Sequence, residues 1–288
     1  MFRDALQEKF GLVDWIPVPD GKIQRFEVPG DKPGSKNGWY VLFLDGVPAG
    51  TFGTWKENAS YNWCARKPVD PFEAQMVANR IEQARRIRES ERAGAQRDAA
   101  VRANRIWHQS KPASGNHPYL IRKDVEPHLL RQAGPALLVP LYAESDLVSL
   151  QFIYPDGAKR FLSDGRVKGC YSPIGTPEPG QPLYIVEGWA TGATIRMYEG
   201  LPVACAMNAG NLLAVGRQLQ ARYLNSPLII AGDDDRKSES EGEGNAGVKF
   251  ATEAAHTLGC GMVLPEFPPE APLALSDFND LANWRASQ

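Results

Sequence analysis

The second half of the chain repeats one pattern, a short apolar run, a break and then a longer helix-like stretch. Leu183 to Val186, Val203 to Met207, Leu228 to Ala231 and Met262 to Leu264 read as strands. The stretches from Ala190, Asn211 and Ala246, and a final polar segment, read as helices. This βα alternation predicts a parallel sheet in a three-layer arrangement. Upstream the pattern changes. From Ile23 to about Cys64 it is aromatic and β-branched with frequent glycine, and Asp45-Gly46 between two such runs is a hairpin signal. Ala136 to Tyr142 and Leu147 to Tyr154 are strand-like around a turn at Glu144-Ser-Asp146, and Pro155-Asp-Gly157 turns the chain into Lys159 to Ser163. Between these β regions, Pro71 to about Ile106 reads as one long helix, or two joined near Gly94. Ser110 to Asn116 reads as a linker, and Pro173 to Pro182, with four prolines and two glycines, as a boundary. The expected organisation is an N-terminal β module at 1–67, a basic helical segment at 68–112, a basic β-rich subdomain at 113–179 and an α/β domain at 180–288.

Composition changes this picture little. With 288 residues and 43% hydrophobic content, a packed globular core is expected. No apolar stretch approaches the roughly 20 residues of a membrane span, and the amino terminus lacks a signal-peptide core, which predicts a cytoplasmic protein with no membrane contact. The four cysteines, Cys64, Cys170, Cys205 and Cys260, have no paired spacing, so no zinc module is expected. None of the four histidines has metal spacing.

Charge matters more by position than by sum. The formal net charge of -2 hides a basic cluster, Lys159, Arg160, Arg166 and Lys168, and a stretch from Glu73 to Arg105 with eight arginines against five acids. A local basic face neutralises phosphates whatever the total, although a charged helix is also simply a solvated one. The aromatics Trp39, Tyr40, Phe52, Trp55, Tyr61 and Trp63 are able to stack on single-stranded bases; cross-strand packing accounts for them as well.

Three carboxylates carry the candidate chemistry. Glu187 follows the run Leu183 to Val186, and Asp233 and Asp235 follow Leu228 to Ala231. In an open parallel sheet ligands collect at the carboxyl ends of strands, so these acids converge on one crevice. On neighbouring strands about 5 Å apart they repel one another, and a divalent cation relieves that repulsion. Oxygen ligands point to magnesium or manganese and hence to phosphoryl transfer. Asp234 points away if the segment stays extended. Asn211, at another strand-to-helix junction, is a candidate phosphate contact through backbone N–H groups, with an ordinary helix cap as the alternative.

At Glu187-Gly-Trp-Ala-Thr-Gly-Ala-Thr194, followed by Asp233-Asp-Asp235, the chain resembles the Toprim fold. The Glu-Gly-aromatic-Ala-Thr string looks like that of conjugative-plasmid primases and satellite-phage alpha-type primases. Lys159-Arg-Phe-Leu-Ser163, Arg166-Val-Lys168 and Tyr171 are similar to the basic strip that precedes Toprim in DnaG-type primases. The resemblance covers about Leu137 to Leu281, half the chain. It implies a DNA primase that makes short primers on single-stranded DNA from nucleoside triphosphates, in plasmid or mobile-element replication or transfer. On that reading Asp233 and Asp235 are metal ligands, and Glu187 is a further ligand or helps to take the hydroxyl proton. Asp277 and Asp280 resemble the second acidic element after the last Toprim strand and help bind another metal, while helix capping accounts equally for Asp277. Arg160 and Lys168, supported by Lys159 and Arg166, contact triphosphate or template phosphates.

Departures from the relatives narrow the expectation. The zinc module of many primases is missing, as is any Gly-x-x-x-x-Gly-Lys-Ser/Thr string, so unwinding falls to a separate replicative helicase or to substrates already single-stranded. A Toprim nuclease and a non-catalytic single-strand binder are the competing readings. The basic strip argues against the first and the intact acids against the second. A type I topoisomerase is disfavoured by the lack of room for a strand-gating domain.

Overall fold

Alternating aromatics drive the amino-terminal segment into an antiparallel meander. A computed structural model describes residues 1–56 and 59–288, and its chain divides into two compact units, 1–94 and 95–288. In the first unit, helix α1 (Phe2–Phe10) precedes strands β1 (Gln24–Phe26), β2 (Gly38–Phe43), β3 (Ala49–Thr54) and β4 (Ala59–Cys64). The described residues pair these in the order β1-β2-β3-β4. Phe2 of α1 meets Tyr40, Phe52 and Trp63 on one face, with ring centroids 5.6, 5.6 and 5.3 Å away. Val41 and Phe43 on the other face pack on Ala84 and Ile87 of helix α2 (Pro71–Gln109). Trp39, Tyr40 and Phe52 are therefore core residues, which is the packing alternative rather than a stacking platform.

Helix α2 is continuous through Gly94, and the boundary between the units falls inside it. Its amino-terminal arginines are engaged within the first unit. Arg80 pairs with Asp45 and lies 5.0 Å from the Phe43 ring centre, Arg88 lies 5.3 Å from that of Trp39, and Arg85 and Arg86 pair with Glu82.

The second unit holds two sheets. Strands β5 (Lys111–Pro112), β6 (Arg131–Ala133), β7 (Ala136–Ala143), β8 (Asp146–Ile153) and β9 (Lys159–Phe161) form the antiparallel one, with helix α3 (Pro118–Lys123) between β5 and β6. Two residues of the expected linker, Lys111 and Pro112, are thus an edge strand, a position where proline's missing N–H costs no ladder bond. On one face of this sheet Leu147, Leu150 and Phe152 pack against Ala103, Ile106 and Trp107 at the end of α2. On the other, Leu137, Val139, Leu141 and Ile153 share a core with Tyr119, Trp189 and Ala193.

The second sheet is the expected βα array. Strand β10 (Ser172–Ile174) is followed by β11 (Leu183–Val186), helix α4 (Trp189–Glu199), β12 (Val203–Cys205), a 3-10 turn at Ala209–Asn211, helix α5 (Leu212–Arg222), β13 (Leu228–Ala231), helices α6 (Arg236–Ser240) and α7 (Ala246–Leu258), β14 (Gly261–Val263) and helix α8 (Phe278–Ala286). Its order is β10-β12-β11-β13-β14, with β11 to β14 parallel and β10 an antiparallel edge. Helices α5 and α7 bury Val215, Leu219, Ala254 and Leu258 on one face against Ile185 and Ile230, and α4 and α8 pack on the other. Gly192 allows α4 to settle on β12, because a Cβ there would lie 2.4 Å from the Cys205 sulfur. The two sheets are stitched by a two-bond bridge between Tyr142 and Tyr171.

Candidate active site

Strand register sets the acids. Val186 of β11 pairs with Ala231 of β13, so Glu187 and Gly232 are the first residues past the paired ends and Asp233 is the next. Gly247, at the start of α7, brings that helix against the Asp233 backbone; a Cβ there would sit 2.4 Å from the Asp233 carbonyl oxygen. The loop after β14 returns to the same place, with Asp234 N–H donating to the Ser276 carbonyl at 2.7 Å. Arg236 secures that loop by donating to the Pro272 and Leu275 carbonyls, its guanidinium 4.0 Å from the Phe267 ring centre. Glu187, Asp233 and Asp277 consequently line one cavity of about 110 Å³.

These carboxylates are short of counter-charge. Burial, then the charges of Glu187, Asp277 and Asp235, push Asp233 up to about 8. Burial and the Asp235 charge raise Glu187, partly offset by the Ala209 backbone N–H; burial and the Asp280 charge raise Asp277. Asp233 Oδ1 is buried with no hydrogen-bond partner. An orphaned buried carboxylate oxygen beside two further acids suits a cation, which would supply the missing partner and the missing charge. Among the described residues no group of three or more His, Cys, Asp or Glu side chains is preassembled to hold an ion.

The remaining expected acids are more committed. Asp235 does not line the cavity; its Oδ2 accepts from Gly247 N–H at 2.9 Å, and its charge acts on Glu187. Asp234 Oδ1 accepts from Asn245 Nδ2 at 2.8 Å. Asp277 caps α8 by accepting from Asp280 N–H at 2.7 Å while still lining the cavity. Asp280 does not line it. Its oxygens accept from Lys123 Nζ at 2.9 Å and from Ser276 N–H at 3.2 Å.

The basic cluster divides by strand alternation. Lys159 pairs with Ile153 on the face of β9 turned to the acids; it lines the cavity, and its charge favours ionised Glu187, Asp233 and Asp277. Arg160 pairs with Phe152 on the opposite face and lies 5.7 Å from the Tyr154 ring centre. Of these two neighbours it is therefore Lys159, not Arg160, that the pleat turns toward the acids. Arg166 and Lys168 are exposed on the loop after β9, the first donating to the carbonyl of the second.

Asn211 corrects the sequence expectation. Its backbone N–H donates to Asn208 O, and its buried side chain is filled by protein partners, so it offers nothing to a phosphate. Two cavity residues escaped the sequence reading. Lys123, at the end of α3, had no motif to mark it. Gln151 did leave a signal, as an amide two residues from Ser149 on the buried face of an otherwise apolar strand. The amino end of α4 completes the wall with Gly188 to Thr191, and with no side-chain cap its first-turn N–H groups suit an anion.

Residues 182–287 match the Toprim domain family, as the βα array and the acids at its strand ends imply. Two curated relatives, both DNA primase TraC of Escherichia coli, are 37% identical over 266 residues and 33% identical over 263 residues, each alignment taking in 88% of this chain. The chain spans 25% and 18% of the length of these relatives. Among the described residues no helix is long and apolar enough to cross a membrane.

Proposed function

We propose that this chain, with its Toprim domain and its likeness to the TraC primases, acts as a DNA primase that synthesises short primers on single-stranded DNA by metal-dependent nucleotidyl transfer. The observation that carries the reading is the joint placement of Glu187, Asp233 and Asp277 in one cavity with Lys159 at its rim, Asp233 Oδ1 lacking a partner. Glu187, Asp233 and Asp235 would hold a divalent cation, magnesium or manganese, with Asp277 beside them. When bound, that ion supplies charge stabilisation at the α-phosphate and a more acidic 3′-hydroxyl. Glu187, its proton affinity raised by burial, is suited to take the hydroxyl proton. Lys159 and the uncapped start of α4 orient the phosphates, and Arg166 and Lys168 meet triphosphate or template. Asp280 is assigned to hold Lys123 rather than an ion.

The template, the nucleoside triphosphates, a separate helicase, and a plasmid or mobile-element setting belong to the same proposal. So does the division of labour among segments 1–67, 68–112, 113–179 and 180–288. The test is de novo synthesis on unprimed single-stranded DNA with labelled nucleoside triphosphates and magnesium or manganese, comparing wild type with Glu187→Gln. Products that need metal and vanish in the variant support the primase. Shortened template without synthesis supports a nuclease, and binding with neither product supports a single-strand binder.

A further inference from the structure

The turn between β12 and α5 contains a buried amide that the chemistry above does not use. Asn211 is 3% exposed. Its Oδ1 accepts from Gly169 N–H at 2.7 Å, and its Nδ2 lies within donating distance of the carbonyls of Ala206 at 2.8 Å, Cys170 at 2.9 Å and Val167 at 3.1 Å. Three of these four partners belong to the loop that bears Arg166 and Lys168. The fourth, Ala206, donates its own N–H to the Val186 carbonyl at 2.8 Å, the residue directly before Glu187. A short run of hydrogen bonds thus leads from the strand that precedes Glu187, through one side chain, to the basic loop. The same turn sends the Ala209 N–H toward Glu187.

The chemistry of the side chain fits this use. One acceptor and a two-proton donor in a single plane meet one N–H and several carbonyls, which neither aspartate, lacking donors, nor leucine, lacking both, reproduces. Asn211 adds to few other ties: Gly169 sits in a left-handed conformation at φ 72°, and the stretch from Val167 to Cys170 is otherwise held by the turn bond from Cys170 N–H to Val167 O and by Arg166 Nε and Cys170 Sγ on the Lys168 carbonyl. Left unpaired, the loop carbonyls would favour a solvated, open arrangement.

We propose that Asn211 is a positioning residue that holds the 166–170 loop, and with it Arg166 and Lys168, in fixed register with the Glu187 strand. The consequence for DNA binding rests on the reading of those cations as phosphate contacts; the loop placement does not. Two measurements separate them. In hydrogen exchange, Asn211→Ala, or Asn211→Ser as the milder change, should deprotect the hydrogen-bonded loop amides of Gly169 and Cys170 while β11 and β13 stay protected. Loop amides as slow as in wild type would overturn the proposal, and so would loss of the whole fold in both variants, since a residue that only places a loop is not needed to form the sheet.

The second measurement is a double-mutant cycle on single-stranded oligonucleotide affinity at fixed salt, without nucleotides. Asn211→Ala should weaken binding about fivefold in the wild-type background and less than about twofold in Arg166→Ala/Lys168→Ala, because contacting residues couple. Equal factors in both backgrounds would overturn positioning through these cations. If Arg166→Ala/Lys168→Ala alone leaves affinity unchanged, the phosphate-contact reading fails, and the loop placement is decided by exchange.

Discussion

Carboxylates in the amino-terminal part of α2 and carboxylates at the ends of β11 and β13 are treated in opposite ways. Arg66 forks onto Glu73 and holds it at about 2; Arg85 and Arg86 do the same for Glu82. In the cavity burial and like charge push Asp233 up to about 8. The helix settles its charges in place, and the cavity leaves its own unsettled. A stretch rich in both signs is thus a poor guide to function, because what matters is which charges have partners at home.

The hardest blow to that contrast is Asp233→Ala. Primer synthesis should fall on the order of 10³-fold, as expected for removing a metal ligand, while circular dichroism stays native. Near-normal synthesis would mean the orphaned oxygen is not where a cation sits. Next comes a pair on one strand. Lys159→Ala should cost roughly 10- to 100-fold in kcat/KM, and Arg160→Ala less than about threefold, since only the first side chain faces the acids. Equal losses in steady-state assays would show that the pleat does not sort the cluster.

A third test reads stability without metal. Asp233 has its folded-state pKa raised above the unfolded value, so the native state binds the extra proton between about 4 and about 8. Stability should therefore fall as pH rises through that window, by up to about 1.4 kcal/mol per pH unit for one proton, and level off above it. Asp233→Asn should flatten the curve in thermal melts across pH. A wild-type curve already flat there would remove the charge argument. The smallest effect is expected on the helix. Arg85→Ala with Arg86→Ala should leave the thermal melting midpoint nearly unchanged and change oligonucleotide affinity by less than about twofold, these being exposed, locally paired groups. A large drop in affinity would make α2 a phosphate-tracking arm after all.

The strand-end acids were legible because a carboxylate directly after an apolar run states both its element and its place at the sheet's edge. The βα order of the second half was legible for the same reason. Lys159 and Arg160 were not separable, because adjacent residues differ only in which face the ladder with β8 turns inward, and that is fixed by pairing rather than composition. Asn211 misled because a cap-like residue at a strand-to-helix junction looks the same whether its side chain points outward or into a loop 42 positions away. Lys123 and Asp280, 157 positions apart, carry no local sign of their ion pair. Short elements such as β5 and α3 are held by tertiary contacts, and periodicity has too few residues to register them.

The antiparallel edge strand β10 has a further consequence for anyone dividing the chain. The proline-rich stretch that follows it invites a cut near residue 180, and the Toprim match begins at 182. Such a cut would carry Ser172–Ile174 away from β12, and with it the link that the Tyr142 to Tyr171 bridge makes to the antiparallel sheet. The fragment would then present Val203–Cys205, a fully buried apolar strand, as an open edge, inviting self-association of the excised piece.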